Sequence, residues 1–172
     1  MGRAAATLAA TRPNRLARTL GQLDRVPAVA RPWARNLVLR RAVPFTGTAG
    51  LQYVALTPQR VEVAVANQRR VQNHIHGVHA AAMALLAETA TGFCVGMNLP
   101  DDKLPLIKTL HVDYLKRAQG DMKAVAQLSP EQIRMILTED KGEVTVPVSI
   151  TDESGQSPIA CQMVWAWVPK KR

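Results

Sequence analysis

The most restrictive feature of this sequence is an uninterrupted apolar stretch that carries a single carboxylate. Between Ala80 and Met97 the only ionisable groups are Glu88 and the thiol of Cys94. Alanine, leucine and methionine are strong helix formers, so the stretch predicts a long helix, and its lack of a polar face predicts burial on all sides. A carboxylate in such a helix is costly unless it is paired or protonated. We therefore expect function to lie near Glu88.

The segment before this helix is polar. One amide and three imidazoles precede the apolar residues, on Asn73, His74, His76 and His79. A second functional element is therefore expected at the start of the helix. At the other end, residues 98–102 are expected to stop the helix, because Pro100 cannot continue it.

The charge of the chain is concentrated at its beginning. Within a length of 172 residues, which predicts one domain with a substantial core, residues 1–50 hold nine arginines, no lysine and one acid. The remainder is nearly balanced, with 13 basic and 12 acidic residues. The high isoelectric point is thus a property of the N-terminal segment, and it does not indicate a nucleic-acid-binding face on the rest of the chain.

The N-terminal segment has three interpretations. Prolines at four positions cut residues 1–48 into short helical pieces, which favours one or two amphipathic helices packed on the flank of the domain. The first 23 residues carry arginine and no acid, which is also typical of an organellar transit peptide. A lipid-binding or nucleic-acid-binding arm is the third alternative.

Further features bear on the compartment. Cys94 and Cys161 show no metal-binding spacing and fit a reducing environment as small buried side chains. No run of about 18 apolar residues predicts a membrane span, and no secretory segment is recognisable. We expect a cytoplasmic protein, or a mitochondrial-matrix protein if residues 1–23 are a transit peptide.

Alternation with period two predicts strands on both sides of the helix. They are expected at 51–56, 60–66, 104–116, 120–128, 143–151 and 159–168. Residues 46–50 predict a turn, Ser129 and Pro130 predict the start of a short helix, and 152–155 predict a hairpin loop. The fold class is therefore α+β: five or six antiparallel strands wrapped around one long apolar helix. We expect a helical extension over residues 1–43 and the main domain over 44–172.

This order of elements, together with the spacing of three residues, resembles a known fold. Asn73 is followed by His79 six residues later and by Glu88 nine further on, and a hydrophobic strand ends in Tyr114-Leu115-x-x-Ala118. Over about residues 44–170 the chain resembles the hot-dog fold. More closely, it is similar to the acyl-CoA thioesterases of the phenylacetate-pathway type and to an uncharacterised family labelled tetrameric acyl-CoA thioesterase.

The resemblance implies hydrolysis of an acyl-CoA thioester without a cofactor or a metal. The implied catalytic residues are Glu88, Asn73, Ala80 and, as a candidate only, Thr109. The implied substrate-binding residues are His79 and Ala81. From their charge, Lys116 and Arg117 could also bind substrate through the phosphates of CoA, and the alternative for them is a solvated strand end. Two glycines that follow the histidine in the family are Ala80 and Ala81 here; alanine keeps the amide donor but narrows the approach of the acyl group.

These residues suit the chemistry of thioester cleavage. Free amides at a helix N-terminus stabilise a developing oxyanion, and Glu88 could act as a general base or as a nucleophile, with its pKa raised by the apolar helix. Ala80 and Glu88 are eight residues apart, roughly 12 Å along a helix, so one chain does not easily bring both to one carbonyl. We therefore expect an obligate homodimer, or a homotetramer, with sites shared between antiparallel helices.

Each of these residues also has a structural interpretation. Glu88 could be a hydrogen-bonded structural charge, and Asn73 could hold a turn. The pattern of His74, His76 and His79 invites a zinc site, but no cysteine or acid lies beside it at ligand spacing. Hot-dog proteins also include non-catalytic acyl-CoA binders, which is the alternative function.

Overall fold

The structure is a computed structural model that describes residues 13–23 and 25–171. Its helices are α1 (Arg15–Leu23), α2 (Arg31–Ala42), α3 (Pro44–Ala49), α4 (Ala80–Gly96) and α5 (Pro130–Thr138), with a short 3-10 turn at Arg69–Val71. Its strands are β1 (Gln52–Leu56), β2 (Arg60–Val65), β3 (Lys103–Tyr114), β4 (Met122–Gln127), β5 (Gly142–Thr145), β6 (Val148–Asp152) and β7 (Ile159–Pro169).

The strands form two antiparallel sheets, and α4 packs against strands of both. One sheet has the order β1-β2-β4-β6 and the other the order β3-β7-β5. The buried face of α4 contacts β2 and β4 of the first sheet and β3 and β7 of the second. The α+β fold, with antiparallel strands around one apolar helix, is confirmed.

The strand predicted over 143–151 is wrong in one respect, because Pro147 divides it. Proline lacks the N–H that a sheet ladder requires, and the segment changes sheets at this point: β5 pairs with β7, whereas β6 pairs with β4. The amide of Val146 still donates to Met163 and the carbonyl of Pro147 accepts from Gln127. The described chain therefore has seven strands rather than five or six.

The turn predicted at 46–50 is also wrong, since these residues lie mostly in α3. Pro44 occupies the first turn of this helix, where its missing N–H costs nothing, and Gly50 ends it in the left-handed conformation with φ of 71°. Thr46 is buried and donates its hydroxyl to the carbonyl of Val43. The helix brings Thr46 next to Tyr53 of β1.

The two outer strands of the sheets differ in how they are protected. Side chains of α2 bind the backbone of β1 and of the residue before it: Asn36 accepts from the Tyr53 amide at 2.8 Å, while Arg35 and Arg40 donate to the carbonyls of Val54 and Leu51. An exposed strand edge is a template for pairing with another chain. Here α2 covers part of that edge and is hydrogen-bonded to the sheet.

Strand β3 has no such cover. It pairs with β7 on one side, and in the described part of the chain no strand or helix is hydrogen-bonded along its other edge. Large apolar side chains on it are exposed, namely Leu104, Leu106, Ile107, Leu110 and Tyr114. An edge of this kind is a candidate for contact with another copy of the chain.

Helix α4 is less completely buried than its composition predicts. Its buried residues include Leu86, Ala90 and Cys94, with no exposed surface at all. A half-exposed stripe runs along the opposite side, formed by Ala84, Leu85, Glu88, Gly92, Phe93 and Gly96. The expectation of burial on all sides is therefore wrong, and Glu88 lies on the open stripe. None of the described helices is both long and apolar enough to cross a bilayer.

Gly92 on this stripe is required by the packing of Trp165. A Cβ atom at Gly92 would lie 2.7 Å from Cζ2 of Trp165, whose indole N–H donates to Thr91 at 2.9 Å. Because that hydrogen bond fixes the ring, the ring cannot retreat freely. Gly21 of α1 has no atom within 4 Å of its corresponding position.

We predict that Gly92→Ala lowers the free energy of unfolding by about 1–3 kcal/mol, as other overpacked cores do. The matched control is Gly21→Ala, which changes the same residue type in a helix and is expected to be neutral or to gain up to about 1 kcal/mol. Urea unfolding at one protein concentration measures both. Equal midpoints for the two variants would contradict the fixed position of Trp165.

Candidate functional site

Glu88 lies at the middle of α4, half-buried on the open stripe of the helix. Burial raises the pKa of its carboxyl above the ordinary value of 4.5, and a hydrogen bond from the Thr89 hydroxyl, at 3.5 Å, opposes that shift. Desolvation is the larger effect. A raised pKa brings a carboxylate closer to the range in which it accepts a proton efficiently at neutral pH.

An apolar cavity opens beside Glu88. Its volume is about 240 Å³, and its walls come from α1, α4, the α2–α3 junction, β3 and β7. The lining includes Leu16, Val43, Phe93, Pro105 and Trp165. A carboxylate in the wall of an apolar cavity is an unusual arrangement, and it is the first half of the candidate site.

Tyr53 connects Glu88 to β1 and α3. Its ring meets that of Phe93 edge to face, with centroids 4.9 Å apart, and its hydroxyl donates to Thr46 at 2.9 Å. Burial raises the pKa of Tyr53, and the negative charge of Glu88 raises it further. Tyr53 therefore stays neutral beside the carboxylate. We did not predict this neighbour, because β1 showed only a strand pattern.

The start of α4 is the second half of the candidate site. His79 is its N-cap residue, and the Nδ1 atom of this side chain accepts from the amide of Ala81 at 3.0 Å. Among the described residues no protein acceptor binds the amide of Ala80. The helix N-terminus thus offers Ala80 as a donor, whereas the Ala81 amide is already used. His79 therefore has a structural role as the N-cap of α4.

Asn73 holds the loop that leads into this helix. Its side-chain oxygen accepts from the backbone amides of Ile75 and Gly77, both at 3.1 Å. The backbone amide of Asn73 donates to the carbonyl of Gly77. The loop also places His76 in the left-handed region, with φ of 61°. These bonds correspond to the turn-holding alternative, and among the described residues no protein acceptor binds the Nδ2 group of Asn73.

The end of β3 meets the start of α4. The hydroxyl of Tyr114 donates to the carbonyl of Ala80 at 2.9 Å, and Arg117 donates to the carbonyl of Ile75 at 2.9 Å. Lys116 instead reaches Gln156 in the loop before β7, at 2.7 Å. Tyr114 was identified only as part of the strand motif.

A second cavity, of about 210 Å³, lies beside the helix start. It is lined by His79, Ala81 and Leu85 of this region and by Phe45 and Arg70 at its rim. Arg70 was not predicted as a site residue. A Cβ atom on Gly50 would lie only 2.2 Å from a guanidinium nitrogen of Arg70. The absence of a side chain at Gly50 therefore leaves room for the Arg70 guanidinium. The only signal in the sequence was a glycine at position 50, which we interpreted as an ordinary turn residue.

Two other residues are not brought to either half of the site. Thr109, a predicted catalytic candidate, pairs with Val164 in the sheet and does not line the cavity beside Glu88. His111 interacts with Asp113 on the exposed part of β3, at 3.2 Å. Over residues 13–23 and 25–171, no three His, Cys, Asp or Glu side chains are grouped so as to hold a metal ion.

The two halves of the candidate site, at Glu88 and at Ala80, lie on the same helix but far apart along it. Eight residues separate Ala80 from Glu88 in α4, which corresponds to about 12 Å along the axis. A single carbonyl group is too small to contact the Ala80 amide and the Glu88 carboxylate of the same chain. Within one chain, therefore, these two groups do not meet at a single point.

The arrangement of seven antiparallel strands around α4 defines the hot-dog fold, as in several solved structures. A Pseudomonas aeruginosa protein of unknown function, described as a probable thioesterase, is 24% identical, with a TM-score of 0.71, over 78% of this chain and 93% of its own. A putative thioesterase from Shewanella oneidensis is 12% identical, with a TM-score of 0.68, over 88% of this chain and 99% of its own. A thioesterase from Haemophilus influenzae is 14% identical, with a TM-score of 0.59, over 73% and 82%.

The family follows from the sequence. Residues 32–168 match the family DUF4442, a domain of unknown function, and the chain belongs to that family. No protein of curated function matches it. The resemblance to the phenylacetate-pathway thioesterases stays a prediction, since the family assignment does not specify it. The match begins within α2, which agrees with the hydrogen bonds between α2 and β1.

The environment of Glu88 predicts how stability changes with pH. Because the folded-state pKa of Glu88 lies above 4.5, the protonated form favours folding; this contribution is complete below pH 4.5 and is lost as the pH rises through the folded-state pKa. We expect wild type to lose stability relative to Glu88→Gln over that rise. Urea unfolding of both proteins across this pH range measures the difference, and parallel profiles would contradict a buried, desolvated carboxyl.

Proposed function

We propose that this chain is a thioester hydrolase that acts on an acyl-CoA, at sites shared between two copies of the chain. The observation that carries the proposal is the half-buried carboxyl of Glu88 in the wall of an apolar cavity. The cavity suits an acyl chain, and the carboxylate suits the activation of water at the end of that chain. The fold is shared with a solved thioesterase and with two proteins described as probable or putative thioesterases, which supports the same reaction class.

In the proposed reaction Glu88 accepts a proton from water while the water oxygen bonds to the thioester carbonyl carbon. The negative charge on the carbonyl oxygen is stabilised by the Ala80 amide at a helix N-terminus, with the Nδ2 group of Asn73 as a second donor. The carbon–sulfur bond then breaks, and the CoA thiolate takes up the proton that Glu88 accepted from water. The products are a free acid and CoA.

The exposed edge of β3 supports the dimer in this proposal. β1, the outer strand of the other sheet, is satisfied by α2, whereas β3 exposes Leu104, Leu106 and Leu110. Pairing two copies of β3 would remove an unsatisfied edge and an apolar surface from water at the same time. A homotetramer would then be a pair of such dimers.

Antiparallel pairing of β3 also brings the two half-sites together. Pro105, near one end of β3, lies in the cavity of Glu88, and Tyr114, at the other end, binds Ala80. When two copies pair antiparallel about the middle of the strand, the Pro105 end of one lies near the Tyr114 end of the other. Glu88 of one chain then approaches Ala80 of the partner subunit.

The CoA moiety is expected on the side of the helix start. Arg117 is exposed there and bound to the neighbouring loop, and Arg70 lies at the rim of the adjacent cavity. Guanidinium groups bind phosphates through paired donors. Lys116 is exposed at the end of the same strand and adds positive charge to this side. The acyl chain would then extend in the opposite direction, into the cavity beside Glu88.

We predict that Glu88→Gln lowers kcat for acyl-CoA hydrolysis by about 10²-fold or more, because the variant removes the group that accepts the proton. The control is Glu131→Gln, which changes an exposed glutamate in α5 and should leave kcat unchanged. CoA release from a series of acyl-CoAs measures both variants.

Two results would contradict the proposal. If wild type binds acyl-CoA without releasing CoA at any chain length, the chain is a binding module. If Glu88→Gln hydrolyses every acyl-CoA as fast as wild type, another group is the base.

A further inference from the structure

The cavity beside Glu88 has a floor and an end wall. Glycines at two successive turns of α4, Gly92 and Gly96, form the floor, since they present no side chain to the cavity. Trp165 and Pro105 form one side. Leu16 of α1 lies over the far end, where its Cδ2 atom is 3.5 Å from the position of a Cβ on Gly96. The α4 residues that line the cavity thus run from Glu88 to Gly96, and Leu16 lies beside Gly96.

The position of Leu16 is fixed by its neighbours. The side-chain amide of Asn14 donates to the carbonyls of Gly96 and Leu99, both at 2.7 Å, so it caps the C-terminus of α4. Asp101 accepts from the amide of Arg15 at 2.8 Å and from the guanidinium of Arg18 at 3.0 Å. These bonds lie on both sides of Leu16. The start of α1 is therefore held against the end of α4, and Leu16 forms a defined wall.

The distance from the carboxylate to this wall corresponds to an acyl chain of medium length. Glu88 and Gly96 are two turns apart in α4, about 12 Å along the axis. Carbon–carbon bonds of about 1.5 Å at angles near 111° advance an extended chain by about 1.25 Å per carbon. About nine or ten carbons therefore fit between the reacting carbonyl and the wall.

From this geometry we infer that Leu16 is a specificity-determining residue, and that α1 sets the length of the acyl chain that the site accepts. The inference rests on the proposed function for its substrate class. It assigns to the N-terminal extension a role in substrate selection, where the sequence suggested packing, targeting or surface binding. Residues 1–12 lie outside the described part of the chain, and the inference does not involve them.

The test uses two substitutions of opposite size at one position. Leu16→Ala lengthens the cavity, so the optimum of kcat/KM over a series of straight-chain acyl-CoAs should move to longer chains. Two more buried methylene groups should raise kcat/KM for those substrates about tenfold. Leu16→Phe should move the optimum to shorter chains. The matched control is Leu20→Ala, one turn further along α1, whose side chain lines a different cavity and should leave the optimum unchanged.

The outcomes separate this inference from the proposed function. If wild type hydrolyses acyl-CoAs but the optimum is the same in all variants, or moves equally in Leu20→Ala, Leu16 does not set chain length and the inference is overturned. If wild type hydrolyses none of them, the proposed function fails, and calorimetric binding of free fatty acids of the same lengths decides the inference. A shift in the preferred length then supports it; no shift, or no binding at any length, overturns it.

Discussion

The packing of α4 against two sheets imposes the constraint on which the other features depend. Burying Leu86, Ala90 and Cys94 completely fixes the rotation of the helix, because these residues share one side of it. The same rotation places Glu88, Gly92 and Gly96 on the open side. The position of the carboxylate is thus determined by the hydrophobic core and not by a partner of its own. The carboxylate is therefore incompletely solvated, and this desolvation raises the pKa of Glu88.

The N-terminal helices complete this arrangement from outside the sheets. α2 satisfies the edge of β1 through three side chains, and α1 is tied to the end of α4 through Asn14 and Asp101. Arg18, Arg35 and Arg40 take part in these contacts through their guanidinium groups, which gives part of the positive charge of this segment a structural role. The opposite edge, β3, is left apolar and exposed. In the proposed dimer, this asymmetry favours β3 over β1 as the strand that pairs with a second copy.

Most elements could be predicted because local rules determine them. The apolar run predicts α4, and the alternation of apolar and polar residues predicts β2 and β4. At the start of α5, Ser129 and Gln132 form a capping box. Two failures were local signals that had been missed: Pro147 interrupts the ladder where the chain changes sheets, and Pro44 and Gly50 bound the short helix α3. The third depends on tertiary contact, because the face of α4 that is left uncovered is determined by where the sheets end.

The site was predictable in its carboxylate and in its helix start, and not in its walls. Glu88 is conspicuous in sequence because nothing around it is charged. Tyr53, Arg70 and Leu16 reach the site from elements distant in sequence, and no local pattern marks them. Asn73 and His79 were identified through the resemblance to a known family, but their hydrogen bonds within the loop and at the helix cap could be known only from the structure.

The central claim is that Glu88 of one chain acts with Ala80 of the partner subunit, and a mixed dimer tests it most directly. Ala80→Pro deletes the amide donor at the first position of a helix, where proline is tolerated. Proline requires an extended residue before it, and His79 already has that conformation, with ψ of 144°. Loss of that donor should lower kcat by about 10²–10³-fold, as Glu88→Gln does by loss of the base.

In a dimer of one chain of each variant, a shared arrangement leaves one site with both groups intact. Equal amounts of the two inactive variants, with subunit exchange verified by native mass spectrometry, should therefore regain about a quarter of wild-type activity, because half the dimers are mixed and each has one working site. Activity that stays at the level of the separate variants after complete exchange would contradict the shared site.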